Sequence, residues 1–291
     1  MDSTKTVKRT GVISDLDMHI PKVKAGYWIN LILLVLIAVV CLIPLLWTLV
    51  SAFKDTKEFY SMPPTIIPKS FNSDALGIVW RKTNLLKSYM NTFYIAAGEL
   101  GFCIVINGLG GYVLSRLKPK GYRMIFSCIF WTMLMPHSVK MVPLFITFVK
   151  ANLTNSFLPM WMMAGANAFN VLLFKSFFDG IPQSYLESAR LDGCNNMQIF
   201  YKIIIPLSKP IIVTVSIFTV NGACSSFMWP YLLLTDEMLV PMAVKIYMLK
   251  TEIPMNEYMI AMIFIMIPTT VLFLLTQKHI MDGVNVGGIK G

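Results

Sequence analysis

Charge is scarce in this sequence. Only 14% of its 291 residues are Asp, Glu, Lys or Arg, against about 25% in soluble domains. Acidic residues are the scarcer sign, 15 against 25 basic ones. Three histidines, His19, His137 and His279, are scattered and pair with no nucleophile. The five cysteines show neither metal-ligand spacing nor a disulfide framework; Cys41, Cys103, Cys128 and Cys224 lie in apolar segments and Cys194 in a polar loop. No Gly-x-x-x-x-Gly-Lys-Ser/Thr phosphate loop occurs. These absences exclude an ATPase, a zinc module and a disulfide-stapled secreted domain, and they leave no catalytic residues to name. The net charge of +10 does not indicate nucleic acid, because the basic residues flank apolar runs instead of forming one patch.

What is abundant is apolar. Hydrophobic residues make up 56% of the chain, and the mean hydropathy is +0.64. A bilayer core takes roughly 20 apolar residues per helix. Six segments qualify: 28–53, 91–114, 124–149, 157–178, 210–235 and 257–277. The expected fold is therefore all-α and polytopic, with six transmembrane helices. The run from Trp28 is too long for a cleaved signal and lacks a small-residue cleavage site.

Orientation follows from Lys and Arg near the spans. With the N-terminus inside, Lys5, Lys8, Arg9, Lys22 and Lys24 are cytoplasmic. So are Arg116, Lys118, Lys120 and Arg123, then Arg190, Lys202 and Lys209. The opposing short loops carry only Lys150, Lys245 and Lys250. The loop 52–90 is also basic, but long loops weigh less in this rule. The expectation is N-in and C-in, with a cytoplasmic tail at 1–26, a membrane body at 27–277 and a cytoplasmic tail at 278–291.

The most polar interruption lies at 182–206. Ser184 and Glu187 have capping-box spacing. Gly193 is placed to end that helix in a left-handed conformation. Asn195 is placed to cap a second helix through Met197, Ile199, Phe200, Ile203 and Ile204. This predicts a hairpin presenting Tyr185, Leu186, Ala189, Ile199 and Phe200 to the cytoplasm. A hairpin lying on the lipid surface, with Glu187 only a cap, fits the same residues.

Polar groups at membrane depth are costly and usually face a bundle interior. Asn221, Ser225 and Trp229 recur every four residues, on one face of a continuous helix. An indole beside amide and hydroxyl groups suits a sugar ring; helix–helix adhesion is the alternative. Asn167 and Asn170 share a face of the fourth segment. Glu99 and Lys140 are the charges well inside spans, each roughly 12 Å below an outer end at 1.5 Å per residue. They are expected to pair.

Glu187, Ala189, Gly193 and Pro206-Leu207 match the pattern of the coupling loop of ABC-importer membrane subunits. Ser188 stands where that family carries its middle alanine. Ser51-Ala52-Phe53-Lys54, Asn170 through Phe178 before Ile181-Pro182, Phe227-Met228-Trp229-Pro230 and Gly287-Gly288-Ile289-Lys290-Gly291 are similar to the carbohydrate branch, in the position of a second permease. The resemblance runs from about Ile29 to the last residue. It implies a non-catalytic permease subunit in a bacterial or archaeal inner membrane. It implies a homologous permease, an ATPase dimer and an extracytoplasmic sugar-binding protein as partners. ATP and Mg would belong to the ATPases, and no cofactor or metal to this chain. Glu187, Ser188, Ala189, Asp192 and Gly193 would couple to the ATPase, with Gly288 and Lys290 as a second contact or else a free end. Asn167, Asn170, Asn221, Ser225 and Trp229 would line the substrate path. An ion-coupled transporter acting alone is the rival reading; against it stand the absence of a detectable inverted repeat and the few carboxylates at depth.

Overall fold

The computed structural model describes residues 20–69 and 74–286, with side chains through residue 278. The tail residues Gly288 and Lys290 lie outside the described residues. All regular elements among the described residues are helical. The chain divides into two units, 1–72 and 73–291.

The first unit holds α1 (Pro21–Ala52) and α2 (Thr56–Phe59). Helix α1 opens with Pro21, whose missing N–H costs nothing at a helix start. Its apolar side chains point in every direction: Ile29, Leu34 and Leu36 are at least 60% exposed. A helix apolar all round needs lipid or another protein around it. Beyond it, the Glu58 carboxylate accepts hydrogen bonds from Thr65 Oγ1 at 2.7 Å and from the Lys69 amide at 2.9 Å. Lys54 donates to the Thr65 carbonyl and lies 4.5 Å from the Trp47 ring centre. These contacts hold the proline-rich segment 62–68 in place.

The second unit begins with α3 (Asp74–Thr83) and α4 (Leu85–Leu117). Helix α4 replaces the expected 91–114 span with a longer one. It contains two π-helical stretches, Cys103–Asn107 and Val113–Leu117. Next come α5 (Tyr122–Leu134) and α6 (His137–Lys150), bent by 107° at Met135-Pro136. The third expected span is thus two helices, because Pro136 lacks an N–H and disfavours helical geometry in the residue before it. The fourth is also broken, into α7 (Leu158–Gly165) and α8 (Ala168–Asp179). Helix α9 (Gln183–Leu191) and α10 (Asn196–Leu207) form the hairpin. Helix α11 (Lys209–Ser225) then leaves α10 at 78°. The fifth expected span stops at Ser225, and α12 (Met228–Leu233) follows after a break. Helices α13 (Met242–Glu252) and α14 (Met255–Val286) complete the unit. By length and composition α1, α4 and α14 can each cross a membrane, and up to five spans result if each bent pair counts as one.

Two cores organise this unit. Ile95, Ala96, Phe148, Met160, Trp229 and Leu233 close one, where α4, α6, α7 and α12 meet. Cys103, Tyr112, Phe174, Phe178, Ile199 and Phe200 close the other, where α4, α8 and α10 meet. Loop 234–241 is pinned to α4. Asn91 Nδ2 donates to the carbonyls of Met238 and Val240, at 2.9 and 3.1 Å, and Thr92 Oγ1 accepts from the Met242 amide at 2.9 Å. These bonds satisfy backbone groups that lipid could not.

Candidate functional site: a surface hairpin and a polar cavity

The hairpin is built from a stop signal and a start signal. Gly193 has φ +80°, where a side chain would be strained. Its amide donates to the Arg190 carbonyl at 3.0 Å and the Cys194 amide to the Ala189 carbonyl at 2.9 Å. This pair of bonds is a Schellman ending. The Asn195 side chain accepts from the Gln198 amide at 2.9 Å while Gln198 Oε1 accepts from the Asn195 amide at 2.8 Å. The capping box therefore starts α10, not α9. Pro182 precedes α9 without a side-chain cap, and Ser184 lies inside the helix. The Ser184–Glu187 box does not form, because proline's fixed φ already sets the first turn two residues earlier.

The faces of the hairpin are also reversed from expectation. Leu186, Ala189, Ile199 and Phe200 are at most 5% exposed and pack inward on Tyr112, Phe174 and Phe178. Tyr185 remains outside. Burying the four inward residues is worth several kcal/mol at about 25 cal/mol per Å². Left outside are Glu187, Ser188, Leu191, Asp192, Gly193 and Met197, with Leu191 89% exposed.

Polar contacts tie the hairpin to its neighbours. Tyr112 Oη donates to the Asn196 carbonyl at 3.1 Å, and its ring lies 5.1 Å from that of Phe200. The Arg116 guanidinium donates to the carbonyls of Phe178 and Ile181 and, at 3.0 Å, to Gln183 Oε1. Asp179 accepts from Ser115 Oγ and Lys175 Nζ, both at 2.6 Å. Partial burial raises the Asp179 carboxyl, but the bonds from Lys175 and Ser115 outweigh it and hold it below its ordinary value. These contacts join the hairpin to the ends of α4 and α8. The sequence reading missed Tyr112 and Arg116.

The second feature is a cavity of about 450 Å³. Glu99, His137, Asn167, Asn170, Ser226 and Trp229 are among its polar and aromatic lining residues. Trp229 is held edge-on by Phe148, with ring centres 6.2 Å apart, and lies 6.3 Å from the His137 ring. Asn167 caps α8 by accepting from the Asn170 amide at 3.1 Å. Behind it, Asn107 Nδ2 donates to the Ala164 carbonyl at 2.9 Å and Asn107 Oδ1 accepts from the Asn167 amide at 3.3 Å. The α7–α8 break is thus satisfied by side chains, as backbone at membrane depth must be.

Three of the five expected path residues meet here: Asn167, Asn170 and Trp229. Asn221 and Ser225 are exposed and do not line the cavity. The helix ends at Ser225 and Ser226 is extended, so the register that would align them with Trp229 is lost. The Glu99–Lys140 pair does not form either. Lys140 Nζ donates to the Thr132 carbonyl at 3.0 Å, across the α5–α6 bend, while Glu99 faces the cavity. A signal for this was present: Glu99, Cys103 and Asn107 are spaced by four, on one face of α4. Among the described residues no group of three or more His, Cys, Asp or Glu is placed to hold a metal.

The chain is similar to known proteins over most of its length. It is 29% identical over 275 residues to the polygalacturonan/rhamnogalacturonan transport system permease protein YtcP of Bacillus subtilis, covering 89% of this chain and 96% of that one. It is 26% identical over 264 residues to the diacetylchitobiose uptake system permease protein NgcG of Streptomyces coelicolor, covering 89% and 87%. The fold matches a chain in the crystal structure of a bacterial ABC transporter involved in the import of the acidic polysaccharide alginate. That match has a TM-score of 0.78 at 23% identity and covers 92% of this chain and 99% of that one. Residues 106–286, which carry both the hairpin and most of the cavity lining, match the family described as the binding-protein-dependent transport system inner membrane component, and the chain belongs to that family.

Proposed function

We propose that this chain is the permease subunit of an ATP-driven importer for an oligosaccharide, forming half of the substrate path. Its 182–206 hairpin docks into a partner ATPase. Six membrane crossings with both ends inside complete the reading, the broken segments each making one passage. The partners are a homologous permease, an ATPase dimer holding ATP and Mg, and an extracytoplasmic binding protein. The sugar class rests on the two relatives described above, whose names refer to glycan transport or uptake, and on the cavity chemistry.

One observation carries the coupling role. The hairpin's inner face is locked to α4 and α8, while Glu187, Ser188, Leu191 and Asp192 are left outside around a rigid Gly193 turn. Such an element transmits rigid-body motion and has a free face to receive it. Ala189 is buried, so its role is to let α9 approach the core, not to touch the ATPase. Asn167, Asn170 and Trp229 remain as path residues on this reading.

The test is co-purification and ATP-dependent uptake in proteoliposomes, comparing wild type with Glu187→Arg and Leu191→Asp. Both changes should weaken the ATPase complex or separate hydrolysis from uptake while leaving the permease folded. Uptake by the lone chain on an ion gradient, indifferent to both changes, would overturn the reading in favour of a secondary transporter.

A further inference from the structure

We infer that the cavity beside α7 and α8 is a sugar subsite that rejects uronates, with Glu99 as the residue that sets this charge selectivity. The inference rests on the importer reading above and names the substrate class: hydroxyl-rich glycosyl units without a carboxylate. The relatives leave that class open, since one is named for polygalacturonan and the other for diacetylchitobiose.

Two sets of groups argue for a sugar. Trp229 is 9% exposed, and the part of its indole that borders the cavity, fixed by Phe148, supplies an aromatic edge for the apolar face of a pyranose. Asn167, Asn170, Ser226 and His137 surround the same space with groups that bond to hydroxyls. At about 450 Å³ the space suits a ligand of one or two rings, within the usual range of such pockets.

The charge balance argues for the class. Glu99 is the one carboxylate in the lining, and neither Lys nor Arg joins it. Among the described residues it makes no ion pair, and Lys140, the partner expected from the sequence, is engaged with Thr132. A carboxylate accepts hydrogen bonds from sugar hydroxyls, two oxygens at a time. It repels a second carboxylate brought into the same space. A site for uronates would place a guanidinium or ammonium there. Helix α4 puts Glu99 near the middle of its length, roughly 21 Å from its start at 1.5 Å per residue.

The experiment uses the full complex, with both permeases and the ATPase pair, without binding protein, so that the binding protein's own preference does not enter. Galactotriose and trigalacturonate are the probes, titrated calorimetrically against the detergent-purified complex. Wild type should bind galactotriose more tightly by at least about tenfold, and Glu99→Gln should reduce that ratio about tenfold. Trp229→Ala should weaken both probes and leave the ratio unchanged. Equal or tighter binding of trigalacturonate by wild type overturns the inference without any variant. So does an unchanged ratio in Glu99→Gln. Either result in a complex that still performs ATP-driven uptake sinks only this inference, whereas absence of an ATPase complex sinks the importer reading itself.

Discussion

Replacing Gly111 with alanine tests the packing that links the hairpin to the membrane body. Here α4 lies against α8 so closely that an added Cβ would stand 2.6 Å from Phe174 Cβ and 2.9 Å from the Lys175 backbone nitrogen. Ordinary contacts are about 3.5–4.0 Å, so α8 must retreat by about 1 Å. Neither atom can rotate away, which puts the change at the upper end of the 1–3 kcal/mol typical of overpacking. Alanine returns about 1 kcal/mol through its better helix propensity. The net loss should be about 2 kcal/mol, roughly thirtyfold in the folded population. The neighbouring glycine is the control. An added Cβ at Gly110 meets only the Val171 methyls, at 3.6 Å. Gly110→Ala should be neutral or stabilising by up to about 1 kcal/mol. The assay is unfolding of each purified variant in one detergent by increasing denaturant, read by protease protection. Equal effects at the two positions would refute the close approach of α4 and α8, and with it the route by which the hairpin moves them.

Other outcomes follow from the same geometry. Gly193→Ala, forced to φ +80°, should destabilise the hairpin by roughly 1–2 kcal/mol, and Gly193→Asn by less; hydrogen exchange at the Cys194 amide reads both. Leu191→Ser should leave unfolding unchanged, because the side chain is already in solvent, yet weaken binding of the isolated ATPase. Arg116→Ala should expose the 178–183 segment to protease and Arg116→Lys should restore only part of the protection, since one ammonium cannot serve carbonyls and Gln183 from a planar fork. The Asp179 carboxyl is held below its ordinary value, so its contribution is complete above the unfolded value near pH 4 and fades as pH falls through the lower folded one. Amide exchange at Gly180 and Ile181 should accelerate over that acid window, and Asp179→Asn should remove the pH dependence.

Legibility differed sharply between elements. The outer spans were readable because an unbroken apolar run has one stable form in lipid, and α1 and α14 differ from expectation only at their ends. The Gly193 turn and the Asn195 cap were readable because each depends on a few consecutive residues. The middle spans were not. Pro136, Asn167 and Ser226 each interrupt a helix; Pro136 does so through its own geometry, whereas a polar residue such as Asn167 breaks a span only where partners far along the chain satisfy the backbone. At Asn167 the partner is Asn107, sixty residues earlier.

The hairpin shows the same division at one locus. Its existence and its turn were written locally. Its inner and outer faces were not, because Leu186 and Tyr185 differ in destination only through Phe174, Phe178 and Tyr112, which the α4–α8 contact brings there. Glu99 makes the point for the cavity. By itself the sequence determined a helical membrane chain with a capped loop and a carboxylate at depth, since hydropathy and capping act over short range. Only the tertiary structure decided that Lys140 bonds across its own bend, and that Glu99 faces an indole and amides, because those neighbours come together through packing and not through spacing along the chain.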